Sequence, residues 1–236
     1  MTYNLVAQTN IKRRKPLGFY TSSEASRISL VPYWTLNNWK RNGIIIPTEK
    51  WVDELKKEHI GHTFETVIFI RLIRLLREKH ISLYKAVDAI QQLRNRFGSP
   101  SKRWADAKIF VDREDAYVYE DKDRDTWGVT VATKYNQRVA EFIFGEEFVL
   151  LKDRADALLI PSQYMDSVEI DPSIQNGLPI VLDTKVLTRL IHDLSSQGYK
   201  YTDIHHMYPF IPDSKIIGAE EYETYLDKAL NKVHLN

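Results

Sequence analysis

The hydrophobic pattern divides the chain into two helical parts separated by a stretch with the two-residue period of β-strands. Near the start, Thr21-Ser22-Ser23-Glu24 has the spacing of a capping box, which predicts a short helix to about Ile28. Pro32 then starts a second helix, which we expect to run to Arg41 and to end at Asn42-Gly43. Two short helices joined by a tight turn predict a helix-turn-helix.

The residues after this pair predict a wing and two longer helices. The run Ile44-Ile45-Ile46 is strand-like, and the charged stretch 48–61 suits a hairpin wing. Thr63 and Ser82 are expected to cap two further helices, the first of about four turns and the second ended by Gly98. The first hundred residues therefore predict a winged helix-turn-helix.

Alternation between about 107 and 167 predicts a small antiparallel sheet, carried by the runs 116–119, 129–132 and 139–144. Helical periodicity then returns in a helix capped by Thr184, a short helix over about 202–207 and a last helix capped by Asp213. The expected fold class is α+β: an N-terminal winged helix-turn-helix, a central small antiparallel sheet and a C-terminal helical bundle.

Composition excludes several classes of protein. The chain has 236 residues, of which 43% are hydrophobic and none is cysteine. Disulfide scaffolds, thiol catalysis and cysteine metal sites are therefore excluded. Because no apolar stretch approaches the length of a membrane span and no secretory leader is evident, we expect a soluble, cytoplasmic protein with no membrane partner.

Charge is distributed unevenly along the chain. Residues 1–100 contain 17 Lys and Arg against 8 Asp and Glu, whereas residues 101–236 contain 16 against 24, so the net charges are +9 and −8. A basic half can neutralise phosphates, and an acidic half suits a basic protein surface. With the change in pattern, this predicts a basic arm at 1–17, a DNA-binding domain at 18–100, a β-rich linking region at 101–165 and a helical domain at 166–236.

The second predicted helix has an apolar and a polar face. Leu36 and Trp39 lie at helical spacing and are expected to pack against the first helix, while the opposite face carries Trp34, Asn37, Asn38 and Arg41. Asn can pair bidentately with adenine and Arg with guanine in the major groove, and lysines can contact phosphates. The candidate DNA-binding residues are Arg13, Arg14, Trp34, Thr35, Asn37, Asn38, Lys40, Arg41, Lys56, Lys57 and Arg74.

Several segments in this region resemble the winged helix-turn-helix of the MerR family. They are Tyr20–Ile28, Val31–Pro47, His62-Thr63-Phe64-Glu65, Ile73–Glu78 and Ile81–Leu83. The resemblance covers roughly residues 18–97. It implies that the helix at 33–41 enters the major groove of double-stranded DNA, that the wing contacts the backbone and that the protein works as a homodimer.

A second resemblance lies in the acidic half. Residues 171–181, Asp183-Thr184-Lys185, Gly198 and residues 204–209, followed by a helix, resemble a VapB-type antitoxin domain over about 166–230. The family implies a compact helical bundle that binds a PIN-like ribonuclease toxin. A nuclease surface must be positive to hold RNA. An acidic domain joined to a DNA-binding domain is therefore suited to bind and neutralise such a nuclease. We therefore expect an antitoxin that represses its own operator and sequesters a toxin encoded by a neighbouring gene.

No constellation in the sequence indicates catalysis, a metal or a cofactor. The pairs His59/His62 and His205/His206 lack accompanying thiols or clustered carboxylates, so neutral surface or wing histidines are expected. The acids over 112–125 alternate with strand residues and indicate a solvated sheet edge. We therefore expect that the protein is not an enzyme. Two alternatives stay open: a ligand-responsive MerR-like transcription regulator whose sheet and C-terminal bundle bind a small molecule, and a hydrolase within residues 107–236.

Overall fold

The computed structural model describes residues 15, 17–98, 108–112, 115–119, 141–142 and 155–231. These residues form seven α-helices and three small antiparallel sheets, which confirms the α+β class. Within the described part of the chain, no helix is long and apolar enough to cross a membrane.

The predicted helix-turn-helix is present and its first helix is capped as expected. Strand β1 (Phe19–Thr21) leads into α1 (Ser22–Ser29). The Thr21 hydroxyl accepts a hydrogen bond from the Glu24 amide at 3.2 Å, and the Glu24 carboxylate accepts one from the Thr21 amide at 2.8 Å. Leu30 ends α1 with a left-handed φ of 60°, and α2 (Tyr33–Arg41) begins directly after Pro32.

The wing is also present, but it belongs to a three-stranded sheet. Strands β2 (Glu49–Val52) and β3 (Glu58–Thr63) form the predicted hairpin, and β3 pairs on its other side with β1. The strand-like run Ile44–Ile46 is not a strand. The Ile44 amide instead donates to the Trp39 carbonyl at 2.9 Å and Ile45 is buried, so the apolar run anchors the loop that follows α2.

Two 15-residue helices complete the N-terminal part. They are α3 (Phe64–Glu78) and α4 (Leu83–Phe97). The hydroxyls of Thr63 and Ser82 accept hydrogen bonds from the amides three residues later, at 3.1 and 3.4 Å, as the sequence predicts. Gly98 caps the end of α4.

The predicted central sheet consists of β4 (Lys108–Asp112), β5 (Asp115–Tyr119) and β6 (Glu141–Phe142), with β4 in the middle. The predicted strand at 129–132 lies outside the described residues. The linking region was expected to be β-rich. At its end, however, residues 155–158 and 162–164 form two 3₁₀ turns.

The C-terminal part is a helical bundle beside a short hairpin. Strands β7 (Val168–Glu169) and β8 (Ile180–Val181) pair, and three helices follow: α5 (Thr188–Ser196), α6 (Tyr201–Met207) and α7 (Asp213–Asn231). Thr184 does not cap a helix. Its hydroxyl accepts from the Val186 amide at 3.0 Å and donates to the Val181 carbonyl at 2.7 Å, which makes a tight turn before α5 begins at Thr188.

One hydrophobic core crosses the boundary expected between the linking region and the C-terminal domain. It contains the buried side chains of α1 to α4, and the same cluster includes Leu158, Ile160, Ile170, Tyr222 and Leu226. A second, smaller cluster holds the bundle together around Ile191, Ile204 and Ile216. The basic and acidic parts are therefore packed into one body rather than joined only by a linker.

Candidate nucleic-acid interface

The second helix of the helix-turn-helix has the two faces that the sequence predicts. Leu36 and Trp39 are 0% and 6% exposed and belong to the main core. On the outer side Trp34 is 62% exposed, and Asn38 and Arg41 are also exposed. Thr35, Asn37 and Lys40 are partly exposed. The packing of Leu36 and Trp39 thus fixes which side chains α2 presents outward.

The exposed indole of Trp34 is the least expected feature of a plain solvated helix. Large apolar side chains usually contribute to a core, and a cluster of exposed ones marks a binding surface. Its neighbour Tyr33 is 53% exposed, so two adjacent aromatic rings stand at the start of α2. Aromatic edges of this kind can contact thymine methyl groups while polar neighbours reach base edges.

The carboxamide of Asn38 is held by its own helix. Asn42 donates from Nδ2 to Asn38 Oδ1 at 3.1 Å. Bidentate pairing with adenine uses both the oxygen and the nitrogen of an asparagine side chain. Pairing by Asn38 would therefore share or displace the hydrogen bond from Asn42.

A single aspartate shapes the tip of the wing. Asp53 Oδ1 accepts hydrogen bonds from the amides of Leu55 and Lys57, each at 2.9 Å, and Oδ2 lies 2.8 Å from His59 Nε2. The hydrogen bond from His59 and the Lys57 amide lower the pKa of the Asp53 carboxyl. This turn places Lys56, at a φ of 62°, and Lys57 on the exposed tip.

The base of the wing is fixed by Trp51, which the sequence marks only as an aromatic in a charged stretch. Its ring is 3% exposed and stacks on His59, with ring centroids 5.5 Å apart and an angle of 16° between the planes. A Cβ at Gly61 would approach the Trp51 ring to 2.7 Å, so the close contact needs glycine. The wing is therefore packed, not only hydrogen-bonded.

One candidate residue, Arg74, belongs to neither α2 nor the wing. Arg74 lies on α3, where its guanidinium pairs with Glu78 at 2.6 Å and its side chain is 18% exposed. Arg13 and Arg14 lie outside the described residues. Lys15, the end of the basic run, is bound to Glu24 at 2.6 Å and lies over the ring of Tyr20 at 5.8 Å.

His62 was expected near the surface of the wing but is fully buried on β3. Its Nε2 lies 3.1 Å from the hydroxyl of Ser22 at the start of α1. Burial and the positive charge of Lys40 lower the pKa of His62 to about 4, so the ring is neutral at pH 7. The sequence of β3 carries no signal that could have placed it inside, because Ile60 is its one apolar side chain and the strand shows no alternation. In the described residues, no group of three or more His, Asp or Glu side chains is arranged to hold a metal.

An ionic junction joins the helix-turn-helix to the C-terminal bundle. Arg27 of α1 donates to the carboxylates of Glu223 and Asp227 on α7, the second at 2.6 Å. Glu223 is 2% exposed and also lies against the hydroxyl of Thr188. Burial acts to lower the pKa of Arg27, but the two carboxylates outweigh it and raise it. The junction therefore holds the two parts in a defined arrangement.

Comparison with known proteins supports the fold and leaves the activity open. Residues 168–222, from β7 into α7, match a family described as a protein of unknown function, DUF433. The chain is similar to the X-ray crystal structure of Rv2018 from Mycobacterium tuberculosis, with a TM-score of 0.53 and 16% identity over 88% of this chain and 99% of Rv2018. No curated protein matches the chain. At this identity the likeness to Rv2018 concerns the fold alone.

Proposed function

We propose that the chain is a DNA-binding antitoxin, a MerR-like reader joined to a VapB-like domain. The observation that carries the DNA-binding part is the outer face of α2. Core packing of Leu36 and Trp39 leaves Trp34, Asn38 and Arg41 outward on one short helix. This combination suits the major groove, where Asn and Arg read base edges. The exposed lysines of the wing tip suit contacts to the phosphate backbone.

The antitoxin part of the proposal is supported by charge and by exposed apolar side chains. Residues 166–231 contain 11 Asp and Glu against 5 Lys and Arg. Around α6, four large side chains are between 43% and 65% exposed: Tyr199, Tyr201, Met207 and Phe210. Aromatic residues and methionine are enriched where proteins bind each other. A basic ribonuclease encoded by a neighbouring gene is the partner that this acidic surface would fit.

The DNA-binding part is tested with the protein's own upstream DNA. We expect the purified chain to shift a duplex taken from upstream of its gene, and to prefer it over a random duplex of equal length. Homodimeric binding predicts a two-fold repeated site, with half-sites one helical turn or a multiple of it apart. Equal affinity for both duplexes at every salt concentration would refute sequence-specific repression.

The antitoxin part is tested separately by co-expression with the product of the adjacent reading frame. We expect the two polypeptides to copurify and the toxicity of the partner to disappear. Replacing Tyr201 and Phe210 by serine should weaken the complex, whereas replacing Leu190, which is 40% exposed on α5, should not. Toxicity that persists in the presence of the folded wild-type chain would refute neutralisation while leaving DNA binding untouched.

A further inference from the structure

A cleft of about 450 Å³ lies where the two helices of the helix-turn-helix meet the wing. The start of α1 contributes Ser22 and Ser23, α2 contributes Tyr33 and Lys40, and the wing contributes Lys57 and Glu58. Three elements that are separate in sequence thus converge on one concave surface, and its lining consists largely of hydrogen-bonding and charged side chains.

The charges that line the cleft come from two different elements. Lys40 lies on α2 and Lys57 lies at the wing tip, and neither forms an ion pair with any residue that the structure describes. The carboxylate of Glu58 lies in the same lining. His59, the remaining basic side chain there, is bound to Asp53 at 2.8 Å. Two ammonium groups and one carboxylate leave a net charge of about +1.

The wall of the cleft is fixed from behind by the buried pair of Ser22 and His62. The hydroxyl of Ser22 lies 3.1 Å from His62 Nε2, and among the described residues His62 Nδ1 has no hydrogen-bond partner. Ser23 and Tyr33 are exposed at the rim, so their hydroxyls are free to turn towards a ligand. The cleft therefore offers hydroxyl donors and two positive charges in one lining.

We propose that this cleft binds a phosphate group, held between the ammonium groups of Lys40 and Lys57 with the hydroxyls of Ser23 and Tyr33 as donors. A phosphodiester carries a single negative charge, which matches the net charge of the lining, whereas inorganic phosphate carries about 1.5 negative charges at neutral pH. The backbone of bound DNA is therefore the favoured source. This inference rests on the proposed DNA binding, and it would fix the wing and α2 on the same strand.

The test compares four charge variants of the full chain on a specific and a random duplex over a salt series. We expect Lys40→Gln and Lys57→Gln each to weaken binding to both duplexes by about tenfold and to reduce the salt slope by about one. Glu58→Gln should act in the opposite direction and strengthen binding. Lys50→Gln is the matched control, because Lys50 is an exposed lysine of the same wing that does not line the cleft.

A titration with inorganic phosphate, followed through the backbone amide signals of Ser23 and Lys57, separates the two sources of the ligand. Signals that move in the wild type and not in Lys40→Gln, with duplex affinity unchanged in all variants, would assign the cleft to free phosphate. If the wild type binds duplex but Lys40→Gln and Lys57→Gln lose no more affinity than Lys50→Gln, and phosphate moves no signal, the inference is wrong and the proposed function survives. If the wild type binds no duplex, DNA binding fails, and an absence of phosphate shifts would reject the cleft as well.

Discussion

Arg27 and Glu223 are 196 residues apart in the chain, and in the structure the guanidinium of the first is hydrogen-bonded to the carboxylate of the second. The Glu223 side chain is 2% exposed, while that of Arg27 is 26% exposed. A carboxylate so deeply buried is tolerated only when positive groups and donors surround it. Arg189 at 3.7 Å and the hydroxyl of Thr188 are the other groups near it. The arginine of α1 is thus the main compensation for a charge that belongs to the C-terminal bundle.

Arg27→Met should destabilise the protein by about 3 kcal/mol, because it leaves the Glu223 charge buried without its main partner. Urea unfolding would measure this loss. Arg189→Met is the matched control. Arg189 is half exposed, its closest pairs with Asp193 and Asp227 are near the surface and it lies 3.7 Å from Glu223, so its loss should cost below about 1 kcal/mol.

The double variant Arg27→Met/Glu223→Gln separates charge burial from lost packing. It removes both charges, so it should recover a large part of the stability that Arg27→Met loses. A double variant no more stable than Arg27→Met would show that packing of the arginine stem, not compensation of the carboxylate, accounts for the effect.

Asn38→Ala and Arg41→Ala should each weaken binding to the specific duplex by about 1 to 3 kcal/mol and relax the preference for one base position. By contrast, Arg13→Ala/Arg14→Ala should weaken binding to all sequences alike and flatten its salt dependence, because the proposed role of the basic arm is to neutralise phosphates. Competition assays with single-base variants of the duplex would measure both effects. Equal losses on specific and random DNA in every variant would contradict this division of roles.

Asn42→Ala provides a finer test of the same surface. It removes the hydrogen bond that Asn42 donates to Asn38, and Asn42 is itself exposed at the end of α2. If Asn38 pairs with a base, freeing its carboxamide should leave affinity unchanged or raise it by a few fold. A loss as large as that of Asn38→Ala would contradict this expectation, because it would mean that the hydrogen bond from Asn42 supports the contact instead of competing with it.

His62 makes stability depend on pH in a defined window. Its pKa in the folded protein is about 4 against an ordinary 6.5, because burial and Lys40 disfavour the charged ring. As the pH falls below 6.5, the His62 ring becomes protonated in the unfolded chain but stays neutral in the folded chain. The free energy of unfolding therefore decreases. Between pH 7 and pH 5 this should cost about 2 kcal/mol. Urea unfolding at several pH values would measure the loss.

The His62 effect can be separated from that of other histidines. His62→Gln should reduce the pH dependence between pH 7 and 5, whereas His206→Gln, at an exposed position on α6, should leave it unchanged. Measurements above pH 5 avoid the range in which ordinary carboxylates titrate. The full slope persisting in His62→Gln would show that another group causes it.

Local signals in the sequence were sufficient to predict the start of each helix that has a side-chain N-cap. Thr21, Thr63 and Ser82 each satisfy an amide three residues later, and the chain alone contains that information. The faces of α2 followed in the same way from helical spacing. Strand β1 could not be predicted, because its three residues become a strand only by pairing with β3.

The packing of the two halves against each other could not be predicted from local sequence patterns. Charge asymmetry suggested independent modules, but the asymmetry counts residues and says nothing of where they meet. Arg27 and Glu223 appear in sequence as ordinary charged residues of two helices, and only the fold makes one the partner of the other. The cleft has the same origin, since its lining comes from α1, α2 and the wing.

Gly177→Ala tests whether the two halves unfold as one body. Gly177 has a φ of +78°, and a Cβ there would lie 2.6 Å from Tyr20 Cζ, in the core of the N-terminal part. We expect a loss of about 3 kcal/mol from overpacking and left-handed strain. Gly198→Ala is the matched control, because its φ is +95° but nothing lies within 4 Å of the added atom, so about 1 kcal/mol is expected.

The measurement uses the positions of the tryptophans. All five lie before residue 128, so tryptophan fluorescence reports the N-terminal and central parts, while circular dichroism also reports the C-terminal helices. Since Tyr20 and Gly177 are in contact across the shared core, Gly177→Ala should move the unfolding midpoints of both signals together and by more than Gly198→Ala does. A fluorescence midpoint that stays at the wild-type value while the dichroism midpoint falls would show that the C-terminal bundle unfolds independently, and that the common core does not couple the two halves.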